Sequence, residues 1–380
     1  MSFFKEIKDF YHFYFRTAAE EKSIVFYAEH EGYYPNLEGL LDELLEKENK
    51  TICYITSDIR DPVLWNPSPA IKPFYIKYLL TLFMLFIKCK VFVMTMTDLH
   101  QYHIKRSANA VKYVYVFHSL VSTHMMYLKG AFDHYDSVLC CGPYHNEEIR
   151  RYEELHNLKP KTLVDAGYYR LERIYASYQE YLKKESGSGS RKTTVLIAPS
   201  WGDGNILEAC GIKLVELLLT KRFNVIVRPH PETIRKNPGL IKELENKFED
   251  NESFILEKSV ATDDSLFKGD VMICDCSGVA IEYAFGTERP VLFLDVPYKI
   301  RNPEYKALGI EPFELSIRSK IGIILSLNNL DILPQEITRL IDNRVKYKKM
   351  ISELREKNVY AFGRSSAVGA EHINNLLSNH

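Results

Sequence analysis

The chain has 380 residues, 46% of them hydrophobic and 26% charged, enough for two packed domains or one large one. Its formal net charge of −1 gives no whole-protein case for nucleic-acid binding, although local basic patches stay open. The seven cysteines (Cys53, Cys89, Cys140, Cys141, Cys210, Cys274 and Cys276) include no C-x-x-C pair, which argues against a disulfide framework or a zinc site and for a reduced, cytosolic compartment.

The first segment, MSFFKEIKDFYHFYF, sets Phe3, Phe4, Ile7, Phe10, Tyr11, Tyr14 and Phe15 at helical spacing, with Lys5, Lys8 and Arg16 between them. It has acidic residues and no small-residue cleavage site, so it is not read as a secretory signal. Two readings stand for this helix, one lying on a membrane surface and one packed against its own domain. Next, 23–30 reads as a strand, 36–47 as a helix and 51–58 as a second strand, the start of a parallel α/β sheet. Residues 72–88 read as one very apolar helix. Its apolar run, 78–87, is too short to cross a hydrocarbon core of ~30 Å at ~1.5 Å per residue. Strands are expected at 90–96, 112–118 and 136–142, and helices at 146–156 and 171–184. Gly and Ser then alternate over 185–192, where no core can form. A second alternation follows, with strands at 193–200, 223–229, 253–257, 270–277 and 289–295 and helices at 206–221 and 239–248.

The pattern predicts an α/β protein of two Rossmann-like domains facing across a cleft. The expected divisions are an N-terminal helix (1–22), a first domain (23–184), a joint (185–191), a second domain (192–358) and a tail helix (359–380) that packs back on the first domain. Such sheets hold ligands at the carboxyl ends of their strands, so chemistry-bearing residues there become candidates. In the second half, Pro199, Ser200, Trp201 and Gly202 follow one strand, in a loop whose backbone N–H groups suit a phosphate. This is not a P-loop, lacking G-x-x-x-x-G-K-[ST]. Arg228, His230 and Pro231 follow the next strand, offering a planar fork and an imidazole on stiffened backbone. Asp275, Ser277 and Gly278 follow a third, with Glu282 one helical turn further. In the first half, His118 ends an apolar strand and is a candidate general base. His124 satisfies the same argument less well by position. Glu29 and His30 are weaker candidates after another strand.

Taken together, VFYAEHEGYYPNLEGLLDEL, FHS, APSWG, RPHP and CDCSGVAIEYAFGTERPVLFLD resemble the CDP-glycerol glycerophosphotransferases, the teichoic-acid primase and polymerase type. The resemblance runs from about residue 23 to about 300. It implies a GT-B fold, a position on the cytoplasmic face of the membrane, and transfer of a polyol phosphate from a CDP-activated donor to a hydroxyl, with release of CMP. It matches His118 to the family's strand-end histidine, Arg228, His230 and Pro231 to its R-x-H-P motif, and Ser277 and Gly278 to its helix entry. Two departures stand out. The usual H-G-T is His118-Ser119-Leu120 here, which makes Ser119 an acceptor-side position, and the usual F-D-Y is Ile281-Glu282-Tyr283. These imply a different acceptor, such as a capsule or O-antigen sugar.

The expected partners are therefore a CDP-linked polyol and a lipid-linked or polysaccharide acceptor, with no cofactor and no metal. Pro199, Ser200, Trp201, Gly202, Arg228, His230, Asp275, Ser277, Gly278 and Glu282 would hold the donor, with His118 as base and His230 as possible acid for the departing CMP. Glu29, His30 and Ser119 would lie on the acceptor side. A nucleotide-sugar glycosyltransferase or sugar-nucleotide epimerase of the same fold, and a non-catalytic membrane-surface scaffold, remain as alternatives.

Overall fold

The computed structural model describes residues 2–47, 50–185, 191–259 and 262–378; the expected joint at 185–191 lies, save its two end residues, outside them. Its contacts divide the chain into two units. One comprises Met1–His118, Thr123–Arg170 and Asn358–His380, the other Ser119–Ser122 and Leu171–Lys357. The division therefore falls between Arg170 and Leu171 rather than at the Gly/Ser run. The helix Tyr169–Glu185 explains the shift, because Ile174 and Leu171 lie directly against Gly286 of the second unit, well before the glycines begin.

The first unit is built on seven strands: β1 (Ile24–Ala28), β2 (Ile52–Thr56), β3 (Ile71–Tyr75), β4 (Val91–Met94), β5 (Lys112–Val116), β6 (Ser137–Cys140) and β7 (Thr162–Asp165). They are ordered β3-β2-β1-β4-β5-β6-β7, and every pairing is parallel. All residues of β1, β2 and β4 are buried, as expected when helices cover both faces of a parallel sheet. Phe26, Tyr54, Val93 and Val114 share one core with Leu37 and Leu41 of the helix Tyr34–Asp42. The C-terminal helix Ser365–Ser378 adds Ala370 and Ile373 to that core.

The second unit has six strands: β8 (Thr194–Ile197), β9 (Asn224–Val227), β10 (Phe254–Leu256), β11 (Val271–Cys274), β12 (Val291–Asp295) and β13 (Gly322–Ser326). Their order is β10-β9-β8-β11-β12-β13, again all parallel. Val195, Ile197, Val225 and Ile273 meet Leu214 and Leu218 of the helix Ile206–Thr220 in its core.

The expected helix over 72–88 is a correction. Residues 71–75 form the edge strand β3, and only Leu80–Phe86 is helical. An edge strand tolerates Pro73, which donates no hydrogen bond. The N-terminal helix supplies the decisive partner. Its buried Asp9 accepts from the Tyr75 N–H at 2.8 Å, and its buried Glu6 accepts from the Lys77 and Leu79 N–H groups at 2.6 and 2.7 Å. Backbone donors that a helix would have used internally are thus satisfied by side chains 66 to 73 residues away. The strands β7 and β13 were not anticipated either; β7 has no fully buried residue and so lacks the apolar signature.

Docking through acids turns the N-terminal helix (Ser2–Arg16) inside out. Phe13 is fully buried and packs on Phe74 and Phe83, a burial that contributes roughly 2–3 kcal/mol. Phe3, Phe4, Ile7, Tyr11 and Phe15 are exposed, Phe4 at 79% and Phe15 at 70%. Leu82, Leu85 and Phe86 of the neighbouring helix are exposed too, and Tyr14 joins the two helices by donating to the Phe83 carbonyl at 2.7 Å. One face of this helix is therefore packed into its own unit, and the other is an exposed aromatic stripe. Among the described residues no helix is long and apolar enough to cross a membrane.

Candidate functional site

In the second unit β8 and β11 are adjacent although their connections run to opposite sides, which is the topological switch point where open α/β sheets bind ligands. The loops after β9, β8, β11 and β12 leave neighbouring strands, and they and the helix Gly278–Thr287 carry the donor-side candidates. Asp275, 1% exposed, clasps two of them by accepting from the Ser200 N–H at 2.8 Å. Burial raises the Asp275 carboxyl above its usual range, opposed by the hydrogen bonds from Ser200. Cys274 reinforces the clasp, its thiol donating to the Ala198 carbonyl at 2.9 Å. Gly202 sits at φ +114°, a conformation that side chains disfavour, and Asn205 closes the turn by donating to its carbonyl at 2.8 Å.

His230 is the N-cap of the short helix Pro231–Lys236, and its Nδ1 accepts from the Glu232 N–H at 3.1 Å. That bond leaves the ring proton on Nε2. Burial, then the charge of Lys299, pushes the imidazole down to about 4, so near neutral pH it is a neutral ring with one N–H to offer. Arg228 is committed elsewhere. It is buried, and it donates to the Ser265 hydroxyl at 2.9 Å and to the Thr262 carbonyl at 3.0 Å, with Glu257 at 3.7 Å. Its fork holds the loop after β10 to the end of β9 and so steadies the backbone from which the His230 turn leaves.

Ser277 is the N-cap of the buried helix Gly278–Thr287, and its hydroxyl makes no capping bond. The helix dipole at that end favours an anion. Gly278 is required by close approach: a Cβ there would lie 2.0 Å from the Ser119 hydroxyl oxygen. Ser119 thus packs within the second unit, against the entry of this helix. Its neighbour Ser122 fixes the segment, donating through its N–H and hydroxyl to buried Glu314 at 2.7 and 2.9 Å. Glu282 is buried further along the same helix.

Lys299, after β12, was missed from the sequence. Its ammonium lies 3.0 Å from the centroid of the Trp201 ring, and Lys236 lies 4.3 Å from the same ring. The Trp201 and His230 rings are 5.9 Å apart. The carboxyl-end rule that singled out the other loops applies equally to YKIR after VLFLDVP.

The first unit repeats the arrangement with other chemistry. Its switch point lies between β1 and β4, and β5 is the next strand. Glu29 and His30 follow β1, Asp98 follows β4 and His118 follows β5. His118 is flanked edge-on by Tyr33 at 5.2 Å and by Tyr127 at 6.1 Å. Tyr33 in turn lies 4.5 Å from His30, whose Nδ1 accepts from the Gly32 N–H at 3.1 Å. Tyr33 therefore brings His30 and His118 into one group, a link invisible in the sequence. Burial, then the charge of Asp98, raises the Glu29 carboxyl. His124 is a different case. It is buried, 3.4 Å from Glu148, which also accepts from the Thr123 N–H and hydroxyl; this is an internal pairing.

Among the described residues no group of three or more His, Cys, Asp or Glu side chains is arranged to hold a metal ion.

Comparison with solved structures finds the same fold elsewhere. A wall teichoic acid polymerase TagF covers 100% of this chain and 98% of its own at a TM-score of 0.62 with 15% identity. A UDP-GlcNAc 2-epimerase from Neisseria meningitidis, solved with UDP-GlcNAc, covers 94% of this chain and all of its own, at 0.57 and 14%. At such identities the likeness speaks for the fold, two parallel α/β sheets of the GT-B class. No curated protein matches the chain in sequence. The family model for CDP-glycerol:poly(glycerophosphate) glycerophosphotransferase matches residues 9–299. With three quarters of its length so matched, the chain belongs to the CDP-glycerol:poly(glycerophosphate) glycerophosphotransferase family and is an enzyme of that type.

Proposed function

We propose that the protein transfers glycerol phosphate from CDP-glycerol to a hydroxyl of a cell-surface polymer or its lipid-linked precursor. The observation that carries this reading is the set of loops at the ends of β9, β8, β11 and β12. It combines a clasped glycine turn, a neutral imidazole donor, a helix N-terminus and cationic side chains around one indole. That is the chemistry of a nucleoside diphosphate site.

In the proposed reaction the acceptor oxygen attacks the β-phosphorus of the donor. The new P–O bond forms as the bond from that phosphorus to the bridging oxygen breaks, and CMP carries the bridging oxygen away. His118 takes the hydroxyl proton during attack. His230, through Nε2–H, donates a hydrogen bond to a donor phosphate oxygen and steadies charge there; its low proton affinity makes it a hydrogen-bond donor rather than a reservoir of protons. Pro199, Ser200, Trp201 and Gly202 form the wall of the site, and Ser277 with Gly278 binds phosphate through the helix entry. Glu29 and His30, joined to His118 by Tyr33, are assigned to the acceptor hydroxyls.

The enzyme is further proposed to sit on the cytoplasmic membrane face. The support is the outward aromatic stripe of the N-terminal helix, beside Lys8 and Arg16, in the manner of interfacial helices.

The test is product analysis with CDP-glycerol labelled in the β-phosphate. Label in the polymer with stoichiometric CMP supports phosphotransfer. Release of CDP, or turnover of UDP-sugars alone, overturns it.

A further inference from the structure

Lys299 and Lys236 bring two ammonium groups to one indole, Trp201. Like charges at this range repel, and a neutral aromatic face compensates them only partly. Lys236 has a counter-charge in Glu232, at 3.5 Å. Lys299 has no carboxylate within ion-pair distance among the described residues. Its stem passes Gly202, where a Cβ would lie 3.9 Å from the lysine Cδ. The backbone carrying it is anchored: buried Arg318 reaches Asp295 at 3.3 Å and donates to the Tyr298 hydroxyl at 2.6 Å. A flexible cation thus stands on a fixed base, at the end of the strand beside β11.

We propose that Lys299 is a donor-binding residue stored on Trp201, whose ammonium leaves the indole for a phosphate oxygen when the pyrophosphate of a CDP-linked donor binds. This rests on the reading of the second unit as the donor site. The exchange runs toward the ligand because a charge-assisted bond to phosphate is stronger than a partly hydrated cation–π contact. It also relieves the repulsion from Lys236. The groups acting on Lys299 are mixed: Arg301 and Lys236 are cationic and Glu232 and Asp275 acidic, and His230 is close enough to feel it. Burial first, then Arg301 and Lys236, push the ammonium down to about 7. Its proton is therefore lost as pH rises through neutrality, and donor affinity falls with it. The CDP pyrophosphate stays ionised throughout, so the ligand contributes no such slope.

The test uses the full chain with Trp65→Phe, which leaves Trp201 as the sole tryptophan of the two. CDP-glycerol is titrated by calorimetry and by tryptophan emission at pH 6.0, 7.0 and 8.5. The parent should bind more weakly at each step up in pH and change its emission on binding. Lys299→Met should raise Kd at pH 6.0 by ~10–100-fold, the worth of one charge-assisted hydrogen bond, and abolish the pH slope. Lys299→Arg should keep affinity within about threefold and flatten the slope, since its charge does not titrate in this range. If the parent binds but Lys299→Met binds equally well, or keeps the parent's pH slope, the inference about Lys299 is overturned and the donor reading survives. If the parent binds no CDP-linked donor at all, the donor reading fails, and the inference with it.

Discussion

The two sheets share an architecture and differ in the chemistry at their strand ends. Around the switch point of the first stand Tyr33, His118 and Tyr127, and the strand ends there also carry Glu29 and Asp98, whose carboxyls act on one another. At the second stand Trp201, His230, Lys236 and Lys299. One set suits neutral hydroxyls and a proton acceptor; the other suits an anion. A common scaffold therefore says where ligands bind, while the side chains say which ligand. Separating binding from turnover is the direct way to break that contrast.

The largest effect is expected at His118. His118→Ala should lower kcat by roughly 10²–10⁴-fold, the usual range for a general base, and leave the Kd of CDP-glycerol within about twofold. Parallel calorimetry and turnover assays check this; a variant with near-normal turnover removes His118 from the mechanism. Gly278→Ala comes next, because its methyl meets the Ser119 hydroxyl. It should cost about 1–3 kcal/mol, as overpacking does. Adding Ser119→Gly should restore most of the loss in urea denaturation, and no recovery would place the strain elsewhere.

The outward face of the N-terminal helix offers a milder test. Replacing Phe4, Tyr11 and Phe15 together by Ser should abolish sedimentation with anionic vesicles. Each change should alter folding stability by no more than about 0.5 kcal/mol, as is usual at exposed sites. Vesicle binding equal to that of the parent would refute the membrane-facing role.

A pH-dependent effect concerns His230. Its ring titrates near the ordinary 6.5 when unfolded and at about 4 when folded. Between these values the unfolded chain holds the extra proton, so acid favours unfolding. The stability owed to the neutral ring is complete above about 6.5 and lost as pH falls toward about 4. His230→Asn keeps an N-cap acceptor without titrating, and its stability should fall less than the parent's between pH 7.5 and 4.5. Equal slopes in denaturant titrations would show that the ring is not held neutral.

What the sequence by itself determined was periodicity and position. Short apolar runs alternating with amphipathic ones announce two parallel sheets, because burial on both faces leaves a local mark in composition. Strand ends carrying Arg228, His230, Asp275 and Ser277 are legible for the same reason. The tertiary structure decided whatever depends on partners distant in the chain. The segment 71–79 leaves the helical state because Asp9 and Glu6 take its backbone donors. Arg228 ties the loop after β10 to β9 because Ser265, Thr262 and Glu257 lie around it. Ser119 reaches the helix entry at 278 because only a glycine there leaves room for it. Lys299 gains its interest from an indole 98 positions earlier in the chain. Hydrogen bonds and charges act through space, and one-dimensional order records none of these distances.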